Sequence, residues 1–190
     1  MLQINQLSLH SADENHSTVS FENPLQLLLS CHDKILHFSS AVLTLSTTLQ
    51  QQGWNEPLQT SAGQIRRYFN VSGPQHHLDE EEHLFPTIIS LDPELKQSDT
   101  IEIMQLINRL IKEHVESDIL WEALDEMLAE QSEDFATMIE LSQQFAADSH
   151  EHVTLENELI IPYAKNHLND SKLKQMGADI ARRRGVKLPV

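Results

Sequence analysis

Apolar residues recur every three or four positions through most of this chain, which is the spacing of one face of an α-helix. Four long stretches and one short one show this period, at about 24–51, 61–90, 99–130, 132–166 and 170–184. Only five glycines are present, and the strict alternation of a β-strand is scarce. The pattern therefore predicts an all-α protein, and four long helices with shorter connections favour an antiparallel bundle with a short fifth helix.

Capping residues and helix breakers mark the predicted ends of these helices. Asn23-Pro24 is typical of an N-cap followed by the first helical position, and Gly53 should end the first helix. Ser72-Gly73-Pro74 should kink or break the second helix. Asn169-Asp170-Ser171 should cap the fifth helix, which is predicted to stop at Gly185.

The 190 residues are enough for one domain with a core of useful size. Residues 1–22 are polar and are predicted to be irregular, and residues 23–190 to form one helical domain, since no linker rich in Gly, Ser or Pro divides them. No signal peptide or membrane-spanning apolar run is apparent. A single cysteine, Cys31, excludes an internal disulfide and favours a cytoplasmic location.

Charge narrows the range of partners. The formal net charge is −16, from 29 acidic and 13 basic residues, which argues against nucleic acid and anionic membranes as partners. The one basic run, Arg182-Arg183-Arg184, is interpreted as a set of cations at a helix C-terminus. Eleven histidines are many for this length and indicate metal or proton chemistry.

One motif occurs twice with identical spacing: a histidine, a glutamate four residues later and a proline six residues after that. The two copies are His76, Glu80, Pro86 and His152, Glu156, Pro162. Side chains four residues apart lie on one face of a helix. Two such helices facing each other would present two imidazoles and two carboxylates to the same interior volume, as in the helical-bundle di-iron proteins.

Two further histidines fall on apolar stripes, His32 in the first helix and His114 in the third. A lone histidine on such a stripe is more often a hydrogen-bonded core residue than a ligand. A buried glutamate such as Glu156, however, needs a proton, a partner or a cation. Taken together, the pattern predicts a metal site with six ligands: His32, His76, Glu80, His114, His152 and Glu156.

The second helix leaves an alternative, because His77 and Glu81 also lie four residues apart. We prefer His76 and Glu80, since only they reproduce the distance to a proline found in the fourth helix. His77 and His83 are then expected beside the site or at the surface, and Glu82 in solvent. Asp118, four residues after His114, could hydrogen-bond a ligand or water in the pocket.

These motifs resemble the hemerythrin-like, HHE cation-binding family over about residues 24–184. The resemblance rests on segments Leu29–His32, His76–Pro86, Lys112–His114 and His152–Pro162, in that order. It implies an up-and-down four-helix bundle around two non-haem iron ions. By this resemblance the four histidines are terminal ligands, the two glutamates bridge the metals together with an oxo or hydroxo group, and manganese or zinc are substitutes for iron.

The chain departs from the oxygen-transport members, which have a further histidine at the position of Asp118 and an aspartate five residues after the fourth-helix histidine. It is more similar to members with four histidines and two glutamates. The resemblance thus implies a protein that binds or senses O2, NO or reactive oxygen and nitrogen species. Alternatives are a redox enzyme acting on peroxide or NO, an iron–sulfur-cluster repair protein, an iron store or sensor, and a metal-free interaction module. Repair is less favoured, because those proteins carry paired cysteines and this chain has only Cys31.

Overall fold

The computed structural model describes residues 21–94, 96 and 98–188, and these residues form helices joined by short connections. The α-helical segments are α1 (Pro24–Gln52), α2 (Glu56–Arg67), α3 (Gly73–Asp79), α4 (Phe85–Ile89), α5 (Ser98–Ala129), α6 (Phe135–Leu155), α7 (Ile161–His167) and α8 (Asp170–Arg183). Three π-helical turns lie between them, at Tyr68–Ser72, Glu80–Leu84 and Glu156–Ile160. The predicted irregular segment 1–22 lies almost wholly outside the described residues.

The π turns join successive α-helices end to end, so that α2, α3 and α4 form one long rod and α6 and α7 form another. With α1 and α5 these two rods make the up-and-down four-helix bundle that was predicted, and α8 is the short fifth helix. The α1 helix packs along α6, and α8 packs on α1 and on the π turn that begins at Glu80. No helix within the described ranges is long and apolar enough to cross a membrane.

Side-chain caps fix where several helices begin. The side-chain oxygens of Asn23, Asp134 and Asn169 accept backbone N–H groups in the first turns of α1, α6 and α8, as expected for N-caps. The second helix begins earlier than the predicted start near residue 61. Asn55 accepts the N–H of Leu58 at 3.1 Å and starts α2 at Glu56, so the connection after α1 is only residues 53–55.

Each of the three π turns begins six residues before a proline: Tyr68 before Pro74, Glu80 before Pro86 and Glu156 before Pro162. In each, the residue before the proline donates its N–H to the carbonyl five positions back rather than four. Proline has no N–H, and its ring crowds the carbonyl four residues earlier, so a wider turn accommodates it. The predicted interruption at Ser72-Gly73-Pro74 therefore takes the form of a π turn inside a continuous rod.

One leucine is exposed because of a π turn. At α-helical spacing Leu159, three residues after Glu156, would face the core, but 47% of its surface is exposed, whereas the next residue, Ile160, is fully buried. The wider turn holds one residue more than an α-helical turn and shifts the phase of the residues that follow it. The buried positions after Glu156 are consequently Ile160, Ile161 and Ala164.

The apolar core is divided into two clusters along the bundle. One contains residues such as Ile35, Phe69 and Trp121, and the other contains residues such as Leu28, Leu84 and Leu110. On α1, on α5 and on each of the two rods, residues of one cluster give way to residues of the other near a predicted ligand histidine. A layer of polar side chains thus crosses the middle of the bundle.

Candidate metal centre

This polar layer contains all six residues predicted to bind metal. They come from α1, α5 and the two rods, and both glutamates are the first residue of a π turn. The list is His32 on α1, His76 on α3, Glu80, His114 on α5, His152 on α6 and Glu156. All are buried except His152, whose side chain is 13% exposed. Convergence of these residues is thus a feature of the fold, while their role as ligands stays a prediction.

One half of the layer is formed by His32 and His76. The Nε2 atom of His32 lies 3.4 Å from Glu80 Oε1 and 3.1 Å from Glu156 Oε2. The Nε2 atom of His76 lies 3.3 Å from the same Glu80 Oε1. One donor atom from each of these four residues lies within 4.8 Å of the others, which is close enough to surround one metal ion.

The other half is formed by His114 and His152, whose Nε2 atoms are 3.1 Å apart. His152 Nε2 lies 3.3 Å from Glu156 Oε1, and His114 Nε2 lies 3.6 Å from Glu80 Oε2. His114, His152 and Glu156 form a second group whose donor atoms are all within 4.8 Å of one another.

The two carboxylates connect these halves. Glu80 directs Oε1 toward His32 and His76 and Oε2 toward His114. Glu156 directs Oε2 toward His32 and Oε1 toward His152. Each glutamate therefore presents one oxygen to each pair of histidines, which is the arrangement that a carboxylate bridge between two metal ions requires.

Several of these atoms are buried without a hydrogen-bond partner among the described residues. They are Nδ1 and Nε2 of His76, Oε2 of Glu80 and both oxygens of Glu156. A buried polar atom without a partner costs free energy, on the order of 1–3 kcal/mol and more for charged groups. Cations between the histidines and carboxylates would remove this cost, so the residues present fit a pair of metal ions.

The electrostatics of the protein alone show how strongly the carboxylates affect each other. Burial raises the pKa of Glu80 to about 8, and the nearby Glu156 carboxylate contributes further in that direction. Burial also acts to raise the pKa of Glu156, but the nearby imidazoles of His152 and His32 lower it well below its usual range. The pKa values of the two buried carboxylates are therefore shifted in opposite directions.

The pKa values of the four histidines also shift in two different directions. Burial acts to lower the pKa of His152, but the Glu156 carboxylate, 3.3 Å from its Nε2, raises that pKa to about 9. The pKa of His32 is likewise raised well above its usual value by Glu156 and Glu80, against the effect of burial. Burial dominates at the other two, and lowers the pKa values of His76 and His114. In the metal-free protein, protons thus partly occupy the positions that cations would take.

Three residues orient the imidazoles: Glu81, which the sequence offered as an alternative ligand, and Asn157 and Glu113, to which it assigned no role. His32 Nδ1–H donates to Asn157 Oδ1 at 2.6 Å, His114 Nδ1–H to Glu81 Oε1 at 2.7 Å and His152 Nδ1–H to Glu113 Oε2 at 2.9 Å. Such contacts fix the tautomer, because a proton on Nδ1 leaves the lone pair of Nε2 for a metal. Glu113 precedes His114 in sequence but accepts the hydrogen bond of His152 on the neighbouring helix.

The alternative pair in the second helix lies beside the site. Glu81 contacts His114 through its Nδ1, away from the cluster, and the ring of His77 stacks on the ring of His114 at a centroid distance of 4.0 Å. Asp118 is largely exposed and lies 3.8 Å from His77 Nδ1. Among the other histidines, His37, His150 and His167 are exposed, His83 is half-buried, and His10 and His16 fall outside the described residues.

The helix that carries His76 and Glu80 is also held by the basic run of α8. Asp79 is fully buried and accepts hydrogen bonds from the guanidinium groups of Arg183 and Arg184. Arg183 also donates to the backbone carbonyl of Gln75 at 2.7 Å. Only Arg182 remains local, pairing with Asp179 at 2.6 Å. Two of the three arginines thus act in tertiary contacts, which the interpretation as helix-end cations did not anticipate.

A four-helix bundle with two histidine pairs and two shared carboxylates at its centre defines a class of metal-binding proteins. The family model described as the hemerythrin HHE cation binding domain matches residues 23–164, and the chain belongs to this family. The chain is also similar to a Haemophilus influenzae protein whose name is "Uncharacterized protein". The two are 28% identical over 178 residues, which cover 92% of this chain and 97% of that protein.

Proposed function

We propose that the protein holds two non-haem iron ions in the polar layer and uses them to bind or sense O2, NO, or reactive oxygen and nitrogen species. One ion would lie between His32 and His76, the other between His114 and His152. The observation that carries this proposal is the position of the two glutamates, which direct one oxygen each to both histidine pairs.

The donor set supports iron, with manganese and zinc as substitutes. Imidazole nitrogens and carboxylate oxygens suit these metals, whereas Cu(I) prefers the sulfur of cysteine or methionine. Two histidines for each metal leave coordination positions that the protein does not fill, and there the bound ions would supply a site for small exogenous ligands. Cluster repair stays a less favoured alternative, because Cys31 is the single cysteine of this sequence and cannot form a cysteine pair within it.

The protein's own residues would prepare this site. Asn157, Glu81 and Glu113 hold three of the four imidazoles with Nε2 directed inward. Leu28 and Leu84 on one side and Val153 on the other are almost completely buried, which limits access of water to the layer. A dry surrounding strengthens electrostatic interactions between the ligands and a cation.

Metal analysis of aerobically purified protein, combined with an optical spectrum, tests the proposal. We expect two iron ions per chain and the near-ultraviolet absorption of an oxo-bridged diferric pair, with metal–nitrogen distances of about 2.0–2.2 Å by X-ray absorption. A colourless protein without stoichiometric metal would overturn the proposal and favour an interaction module.

A further inference from the structure

A cavity of about 290 Å3 lies between α5 and α6 and reaches only one of the two histidine pairs. His114 and His152 line its inner end. Among the described residues that line it, neither His32 nor His76 is found. Side-chain exposure agrees with this difference: His152 is 13% exposed, but His32 and His76 are each 1% exposed.

The cavity continues beside the site. Ser117 of α5 and Ser149 of α6 line it together with His77, and the same three residues also line a smaller cavity of about 30 Å3. The smaller cavity is bounded by the aromatic side chains of Trp121 and Phe145. Each serine lies three residues from a histidine of the pair, so a small molecule beside the two serines is about one helical turn from His114 and His152.

The outer part of the cavity is acidic. Glu113, Glu116, Asp148 and Glu151 line it, against a single guanidinium, Arg109. Arg109 is held by two of these carboxylates, Glu113 and Glu151, with N–O distances of 2.5 Å each. Within the described part of the chain, Glu116 and Asp148 form no ion pair, so the mouth keeps a net negative charge.

We propose that this cavity is the route by which ions and small molecules reach the metal position at His114 and His152. Its acidic mouth selects cations and neutral molecules over anions. The inference deepens the proposed function, since it needs a metal at that position and names the class of ligand: a neutral molecule such as NO, O2 or hydrogen peroxide. A cleft lined by charge of one sign concentrates ions of the opposite sign and repels the rest.

Three probes of different charge test how the acidic mouth affects a cation, a neutral molecule and an anion. The first is Co2+ uptake by the metal-free protein, followed by its visible absorption. The other two are the binding of NO and of azide to the iron-loaded protein, followed by stopped-flow absorption. Neutralising the mouth with the double variant Glu116→Gln, Asp148→Asn should slow Co2+ uptake and speed azide binding, each by roughly tenfold at low salt. The rate of NO binding should not change, and added salt should reduce the two effects.

The matched control is Glu122→Gln, Glu126→Gln, which removes two exposed carboxylates of α5 that do not line the cavity. It should leave all three rates within twofold of the wild type. If azide and NO respond alike to the mouth variant, or if the control variant changes the rates as much, charge selection at this mouth is overturned.

A second variant tests the route itself. Ser117→Leu adds bulk to a half-buried position that lines both cavities. It should slow Co2+, NO and azide together by at least tenfold, while Ala123→Leu, at an exposed position of the same helix, should not. Equal rates in Ser117→Leu and wild type would overturn the route but leave the proposed function intact. A wild-type protein that takes up neither cobalt nor iron would overturn both.

Discussion

Glu113 Oε2 lies 2.9 Å from Nδ1 of His152, although Glu113 belongs to α5 and its sequence neighbour His114 has its Nε2 3.1 Å from Nε2 of the same His152. One residue of α5 therefore serves as a candidate ligand and the residue before it orients the candidate ligand of α6. In the other histidine pair, His32 is bonded instead to the neutral amide of Asn157.

Substitution of Glu113 should selectively weaken metal binding at the proposed position between His114 and His152. Carboxylate partners of ligand histidines commonly change metal affinity by about 10–100-fold when they are removed. We expect Glu113→Gln to lower the affinity for one of two metal ions by that factor, measured by competition with a chromophoric chelator. The control is Glu126→Gln on the same helix. If both ions keep wild-type affinity, the hydrogen bond to His152 has no role in metal binding.

Substitution of the two shared glutamates should change the metal content, whereas substitution of the acidic residues beside Glu80 should not. Glu156→Ala and Glu80→Ala each remove a carboxylate shared by both histidine pairs, and each should lose at least one metal ion per chain by elemental analysis. Glu82→Ala should keep two, because its side chain is 52% exposed and lies 3.8 Å from its nearest charged partner. Glu81→Ala should also keep two, with altered affinity only. Loss of metal in Glu81→Ala together with retention in Glu80→Ala would contradict the assignment.

Metal binding should release protons near neutral pH. In the metal-free protein the pKa of His152 is raised to about 9 and that of Glu80 to about 8, so both groups carry protons at pH 7. A cation must displace these protons, because it needs the unprotonated atoms. We expect more than one proton released per chain, measured by calorimetry of Zn2+ binding in buffers of different ionisation enthalpy. The apparent affinity should rise from pH 7 to pH 9, and a pH-independent affinity would speak against displacement.

Removal of metal should lower the melting temperature. The metal-free bundle keeps six ionisable side chains in a mostly buried layer, whereas bound cations stabilise the folded state by an amount that grows with the logarithm of their affinity. Chelation at pH 7 should therefore shift thermal unfolding, followed by circular dichroism, to lower temperature. Re-addition of metal should restore it. Equal melting temperatures with and without metal would indicate that the layer is stable on its own.

The two aspartates that pair with the basic run offer a matched comparison. Asp79 is fully buried against Arg183 and Arg184, so Asp79→Ala should cost about 3–5 kcal/mol in the free energy of unfolding, because it leaves two arginines without their partner. Asp179 pairs with the largely exposed Arg182, and Asp179→Ala should cost about 1 kcal/mol or less. Urea denaturation of the metal-loaded proteins measures both, and similar losses would refute a special role for Asp79.

The parts of the site that could be predicted were those that repeat at helical spacing. A histidine and a glutamate four residues apart lie on one face whatever their surroundings, and apolar neighbours showed that His32 and His114 face inward. The bundle followed from the same periodicity. Contacts between helices could not be predicted in this way, because the pairing of Glu113 with His152, or of Arg184 with Asp79, depends on the relative height of two helices.

The sequence also could not predict whether a helix continues through a proline. A proline after a glycine is typical of an interrupted helix, so Ser72-Gly73-Pro74 predicted a kink or a break, and an uninterrupted 3.6-residue period would place Leu159 in the core. The structure keeps the rod intact and widens one turn instead. The repeated interval from glutamate to proline was visible in the sequence, but its meaning depends on a hydrogen bond to the carbonyl five residues back.

That interval limits how the length of this protein can vary during evolution. Deleting one residue between Glu156 and Pro162 would convert the wide turn into an ordinary α-helical turn, in which the ring of Pro162 crowds the carbonyl four residues earlier. A one-residue deletion elsewhere in a rod would rotate every later position by about 100° and take buried residues such as Ala164 out of the core. Insertions and deletions should therefore be confined to the connections at residues 53–55 and 130–134 and to the loop that follows α4. The rods themselves should keep a constant number of residues among relatives that retain the site.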